Sequence, residues 1–470
     1  MANKIKNVLK ATTDSELLSY IINVTPELQE IDLPVQGESI APIGKLISSN
    51  ERYRNAFIKT VNLIGLTVIK RNAWDNPWIS FTDRGTLNYG QQVRELILDL
   101  CNVYDYNENR ENNTKFLETA IPNVFNYIHE VNFQKYYETT TTDQDLRMAF
   151  NSEGGLFDFV EKAISMLYES WKYDKYIVDK YMLCRRIVDG TITPMMIQNY
   201  QNLTARERVA KIKNVSNLMT FRNPNFNPAG IRKATNFDDQ IAILNTDFEA
   251  DLTTEVLATS FFRNEAEMKS RLALVDGFAN HDDERLTELL GNDYVKFTDT
   301  ELDMLSKVPV VIISNEFFMD YQYAFDNESN LKRTDFYNPT TLTNNHYLHA
   351  WAVFSTSPFE QACVFTQELP AVTKITISPA ESTVSAGLGV QLTAKVETTG
   401  FANKAVQWAV DTAPGEKPGG GKVTVDMNGY VQVPKDYTPT NVDSSVNPIV
   451  ISATSIFDTS KKQTATITVV

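Results

Sequence analysis

The sequence predicts an α+β chain that ends in an all-β sandwich, and three observations carry that reading. From Ala371 onward the residues fall into short alternating runs, 373–379, 390–396, 404–410, 429–433, 449–454 and 465–469. Period-two alternation of β-branched residues with Thr, Lys and Gln places one face of each strand in a core and the other in water. Between Leu156 and Asp189 there is neither Gly nor Pro, and Phe157, Val160, Ile164, Leu167, Trp171, Val178 and Met182 mostly follow three- and four-residue steps. That is the period of one helix, and at about 1.5 Å per residue it reaches roughly 50 Å. Elsewhere in residues 1–370, short helical patterns alternate with apolar runs such as Val308–Ile313.

Residues 1–50 begin with a short amphipathic stretch capped at Thr13-Asp14-Ser15 and continue through Pro34, Gly37, Pro42 and Gly44. Such punctuation reads as an arm that needs a partner surface. A helix is expected around Glu51–Leu63 and a strand at Leu66–Ile69. Residues 74–138 mix aromatic-rich extended pieces with very polar ones, among them Tyr104–Asn113. A long stretch of this kind inside a compact domain is uncommon unless it binds something, so the segment reads as a projecting β-hairpin loop. Gly190 and Pro194 close the long helix. Helices are expected at Thr253–Phe261 and Glu265–Leu274, and strands at Val308–Ile313, Tyr347–Phe354 and Gln361–Thr366. Pro370–Thr373 reads as a hinge into a cysteine-free, immunoglobulin-like sandwich with Trp408 in its core.

The 470 residues, 42% hydrophobic and 22% charged, suit a multi-domain globular chain. The net charge of −15 is uneven: residues 371–470 hold eight lysines and eight carboxylates, so the whole excess lies in residues 1–370. An acidic chain is a poor non-specific ligand for nucleic acid, because that binding rests on Lys and Arg. Cys101, Cys184 and Cys363 are odd in number and lack metal spacing, which points to free thiols in a reducing compartment. The N-terminus has no apolar signal segment, and no stretch is long enough to span a bilayer. A soluble protein made in a cytoplasm, without membrane contact, is expected.

Several strings, in order along nearly the whole chain, carry a resemblance. They are Ile64-Gly65-Leu66 with Val68-Ile69-Lys70, Asn76-Pro77, Ile121–Val124, His129-Glu130 and Asp145–Phe150. Farther on come Asp247–Leu252, Val256–Ala258, Val275–Phe278, the trio Tyr347, His349 and Trp351, then Pro370–Thr373 and Ser378-Pro379. The chain resembles the major capsid proteins of phi29-like short-tailed phages, with an HK97-type capsid domain followed by a group 2 bacterial Ig-like domain. The resemblance implies an N-terminal arm at 1–50 and a capsid domain at 51–370. Within the latter it places an extended loop at 74–138, a spine helix at 156–189 and an axial α/β domain at about 204–340, with the Ig-like sandwich at 371–470. It implies a virion protein, assembled in the host cytoplasm, that associates with itself into hexamers and pentamers of an icosahedral or prolate head. A scaffolding protein, a portal protein and packaged double-stranded DNA, contacted non-specifically, are its expected partners. The Ig-like domain either clamps neighbouring subunits or meets a host surface.

No cofactor, metal site or catalytic constellation is expected, and the chain does not read as an enzyme. His346 and His349 are spaced i, i+3, which on a strand points them to opposite faces. His129-Glu130 lacks the second histidine of a zinc-protease helix, and Gly415–Lys422 departs from the phosphate-loop pattern. His281–Glu284 misses calcium-loop spacing. Trp74, Trp78, Tyr136 and Tyr137 are either core residues at the hairpin base or anchors of subunit contacts, where aromatics dominate. The rival reading is an Ig-bearing tail protein or adhesin that binds host carbohydrate; tandem Ig modules or a fibrous repeat would favour it, and one module is visible.

Overall fold

A computed structural model describes residues 14–32, 40–57, 60, 74–88, 91–98, 100–101, 103, 124–151, 166–255, 271–324, 331–438 and 448–470. Along the chain come helices α1 (Asp14–Val24) and α2 (Ala41–Ser49), then strands β1 (Asp83–Leu87), β2 (Val93–Leu98), β3 (Val124–His129) and β4 (Phe133–Thr142). Helices α3 (Asp143–Asn151) and α4 (Met166–Val188) precede β5 (Thr193–Met196), α5 (Ala205–Met219), β6 (Gln240–Asn245), α6 (Thr246–Glu255) and β7 (Leu272–Val275). Helices α7 (Asp283–Leu290) and α8 (Asp299–Ser306) lead into β8 (Val310–Ser314), β9 (Asp320–Tyr323), β10 (Leu331–Asn338), β11 (Thr343–Val353) and β12 (Ala362–Thr366).

Helix α4 is the spine. Every residue from Asp174 to Tyr181 is buried, because one sheet lies on each side of it. One sheet runs β1-β9-β11-β10 with β4 also paired to β11, and the other runs β5-β12-β8-β6-β7. Phe133, Tyr137, Leu348 and Ala350 of the first share a core with Leu183 and Ile187 of α4. The second sheet is covered on both faces. Ile241, Ile243, Val311, Ile313 and Val364 face the spine, α7 and α8. Their alternate neighbours Ala242, Leu244, Val310, Ile312 and Phe365 face α5. Two-sided burial explains why these strands are continuous apolar runs. A Schellman motif ends the spine: Thr191 N–H donates to the Arg186 carbonyl at 3.1 Å and Gly190 N–H to the Ile187 carbonyl at 3.0 Å, with Gly190 at φ 69°.

Buried charges fix the spine's rotation. Asp174 accepts both branches of Arg285 from α7 at 2.9 Å each. Lys180 donates to Asp276 at 2.5 Å, and Lys175 lies 3.5 Å from Asp83 of β1. Asp179 and Asp320 of β9 face one another, and both carboxyl pKa values are raised: burial leads for each, with the Asp179 charge next for Asp320. Each pair comes from a different element, so a rotation of the helix would strand a charge in the core.

Three expectations take a different form here. The arm expected at 1–50 has a partner surface within the same chain: Leu17, Leu18, Ile21, Ile22 and Ile47 form an apolar core with Leu146 and Phe150 of α3. Pro42 occupies the first turn of α2, where a missing N–H costs nothing, and Gly44 lets Phe150 approach; a Cβ there would meet the ring at 2.2 Å. In place of a helix over Glu265–Leu274, the described part holds β7, parallel to β6. The 74–138 loop divides, since β1 and β4 belong to the first sheet and the free hairpin lies between them. The expected strand at 66–69 and the polar run 104–113 fall outside the described residues, as does the start of the 156–189 helix.

The sandwich contains β13 (Ala371–Ser378), β14 (Glu381–Val384), β15 (Gly389–Gln391), β16 (Thr393–Thr399), β17 (Val406–Thr412), β18 (Thr424–Val425), β19 (Tyr430–Gln432), β20 (Ile449–Ser455) and β21 (Lys462–Val469). Its sheets are β13-β16, β14-β21-β20-β17 and β15-β19-β18, around Leu392, Val431, Ile451 and Ile467. Trp408 is packed against that core but only half-buried. It sits on β17, at the end of its sheet, and lies over Gly429. The expected hinge at Pro370–Thr373 is clasped: Thr399 Oγ1 donates to the Leu369 carbonyl at 3.1 Å, and Gly400 leaves no room for a Cβ against Pro370.

Candidate assembly surface

The hairpin is a two-stranded antiparallel sheet, β2 with β3, in register from Val93↔His129 to Leu98↔Val124. Opposed residues share a face. The inner face carries Val93, Glu95, Ile97, Phe125, Tyr127 and His129, and polar contacts hold it to the segment after β11. His129 Nδ1 lies 2.8 Å from Ser355 Oγ, and its Nε2 lies 3.4 Å from Glu95. Ser357 Oγ donates to Glu95 at 2.7 Å, and the Phe125 ring tilts against Phe359.

The outer face carries Arg94, Leu96, Leu98, Val124, Asn126 and Ile128, all exposed. Leu96 is 60%, Leu98 66% and Val124 54% exposed. A two-stranded piece with apolar residues on both faces cannot cover itself, and exposed apolar area of this kind is characteristic of contact surfaces. The aromatic count in the sequence overlooked these aliphatic residues. The signal was available in Val93–Leu98, which is apolar at both phases of the alternation.

Of the four aromatics singled out, two are spent inside the subunit. Trp78 is 0% exposed; its indole N–H donates to the Leu274 carbonyl at 3.0 Å, and its ring packs edge-on to Tyr176. Tyr137 is buried against Trp171, and burial, with Asp174 nearby, pushes its hydroxyl pKa upward. The subunit-contact expectation is corrected for this pair: neither has surface left to offer. Trp74 and Tyr136 remain available, 46% and 61% exposed. Trp74 leans edge-on against Tyr173 and Tyr176. Tyr136 lies beside Tyr347 and His349 on the outside of the first sheet and borders a groove of about 350 Å³ that Met166 and Glu288 also line.

His346 is buried and held by Asp335 at 2.6 Å and Thr141 at 2.9 Å, whereas His349 points the other way, to Thr334 at 3.1 Å. Among the described residues, no three His, Cys, Asp or Glu side chains gather as a metal ion would require. Cys184 and Cys363 are buried and Cys101 is exposed; all three are free thiols. No described helix is long and apolar enough to cross a membrane.

A spine helix held between two sheets, a two-stranded hairpin with an exposed apolar face and an appended Ig-like sandwich are the parts of a phage shell subunit, the class that the family match gives. Residues 20–366 match the family described as Phi29-like phage major capsid protein, and residues 371–436 match the bacterial Ig-like domain, group 2. The chain belongs to the phi29-like phage major capsid protein family. It is 26% identical to the major capsid protein of Bacillus phage GA-1 over 405 residues, 84% of this chain and 78% of that one. With the major capsid protein of Bacillus phage PZA it shares 27% identity over 416 residues, 87% and 86% of the two chains. A chain from the capsid of Staphylococcus phage Andhra aligns over 64% of this chain and 86% of its own, at 12% identity and a TM-score of 0.48.

Proposed function

We propose that this subunit builds a phage head by laying the outer face of its hairpin on the neighbouring subunit, in rings of six and five. The uncovered apolar face of Leu96, Leu98, Val124 and Ile128 carries the reading, with Trp74 and Tyr136 as further anchors. Its role is structural rather than catalytic. Assembly takes place in the host cytoplasm on a scaffolding protein, a portal protein occupies one vertex, and the shell encloses double-stranded DNA touched only non-specifically. The Ig-like domain is clasped to the capsid domain, which favours a part in the shell over a free-swinging host receptor.

Negative-stain electron microscopy of the purified chain with a molecular crowder tests this. The wild type is expected to form rings or closed shells. Leu96→Glu/Leu98→Glu is expected to stay folded by circular dichroism and to remain monomeric. Shells formed equally well by the double variant would sink the reading.

A further inference from the structure

We propose that the axial α/β domain closes each ring through unlike charges, the α5 face of one copy docking on the α7–α8 face of the next. This deepens the reading above and rests on it. Residues 190–236 hold seven lysines and arginines and one carboxylate, Glu207, in a chain of net charge −15. Arg206, Lys211, Arg222 and Arg232 are exposed along α5 and just beyond it. Glu207 is turned back into the capping box with Thr204, and Asp247 and Glu249 lie on the adjoining α6. Among the bases stand Phe221, 69% exposed, and Leu218, 43% exposed.

The other side of the same sheet has the reverse character. Residues 282–303 hold eight carboxylates against Arg285 and Lys296. Some are answered within the chain, Asp283 by Lys296 at 2.9 Å and Glu301 by Lys404 at 2.8 Å. Glu284, Asp293 and Asp299 point outward, next to the half-exposed Val295. Opposite charges on opposite faces of one domain make a head-to-tail contact, and such a contact repeated by rotation closes a ring. Charge sets orientation and register, while Phe221 and Leu218 supply apolar area. Duplex DNA on the basic face would account for the bases alone and would leave the acidic face without a role.

Charge swapping tests the pairing in the full chain. Arg206→Glu/Lys211→Glu lowers the net charge of residues 190–236 from +6 to +2, and Glu284→Lys/Asp293→Lys lowers that of residues 282–303 from −6 to −2. By sedimentation velocity, each variant is expected to stay monomeric where the wild type associates, and an equimolar mixture to associate again. Raising salt from about 50 to about 300 mM is expected to weaken wild-type association by about tenfold. The proposal is overturned if either variant associates like the wild type, or if the mixture of folded variants stays monomeric. It also falls if wild-type association is absent or indifferent to salt, or if Arg206→Glu/Lys211→Glu loses binding to a short DNA duplex while associating normally. Wild-type shells in the microscope alongside any of these results would leave the capsid reading intact.

Discussion

Phe401→Ala would show how firmly the sandwich is joined to the shell domain. Phe401 follows β16 of the sandwich, yet it is 1% exposed within the core built around the spine helix. Its neighbour Ala402 lies in the sandwich core, so one loop feeds both. The backbone there is left-handed, with φ 56° at Gly400 and 62° at Phe401; for Phe401 that conformation persists only where surrounding contacts hold it. Removing a buried phenyl ring costs about 3–5 kcal/mol. The polar contacts across the junction, among them the Lys404–Glu301 ion pair at 2.8 Å, the Lys404 N–H to the Asp189 carbonyl at 3.2 Å and Thr399 Oγ1 to the Leu369 carbonyl at 3.1 Å, are each worth about 1 kcal/mol. Differential scanning calorimetry of the full chain is expected to show coupled unfolding in the wild type. In the variant the sandwich should melt separately, and the shell domain roughly 4–6 °C lower. A single variant transition within about 2 °C of the wild type would refute the reasoning, because the ring would then fill no space on which the core depends.

Two further outcomes are expected. Asp179, pushed up to about 6 by burial, and Asp320, also raised, hold protons more tightly when folded than the ordinary 3.8. Their contribution to stability is therefore full below about pH 4 and is lost as pH rises through the folded values. Asp320→Asn should flatten the decline in melting temperature as pH rises above about 5, and an unchanged slope would contradict the raised carboxyl pKa values. Trp78→Ala should lower monomer stability by about 3–5 kcal/mol in urea melts. Trp74→Ala and Tyr136→Ala should change it by less than about 1 kcal/mol while reducing particle yield; the opposite ordering would reverse their assignment.

Where burial follows from local periodicity, the sequence could be read directly. Most strands after Ala371 and the described part of the spine helix needed only their own spacing, and Val308–Ile313 announced a strand. The rest depended on distant partners. Leu17 and Ile21 become core only because Phe150 lies against them, and Gly44 reads as a breaker until that ring is in place. Leu272–Val275 is a strand because β6 offers an edge, which no local propensity encodes. Trp78 and Trp74 differ by four positions and both touch Tyr176, and the tertiary placement of Leu274 and Phe318 against Trp78 separates the buried one from the exposed one. The hairpin face was hidden for a different reason: its meaning lies in what does not cover it.

The polar ties of the hairpin to the body include His129 to Ser355 and Glu95 to Ser357, beside the packing of Phe125 on Phe359 and of Val93 on Tyr323. Water can replace each of those bonds at a net cost of about 0.5–1.5 kcal/mol. Strand pairing within the hairpin is untouched by such an exchange, so its tilt can change while the face it presents stays the same. In the head proposed above, local curvature would be absorbed at this root, and one chain would meet neighbours set at different angles without repacking its interior.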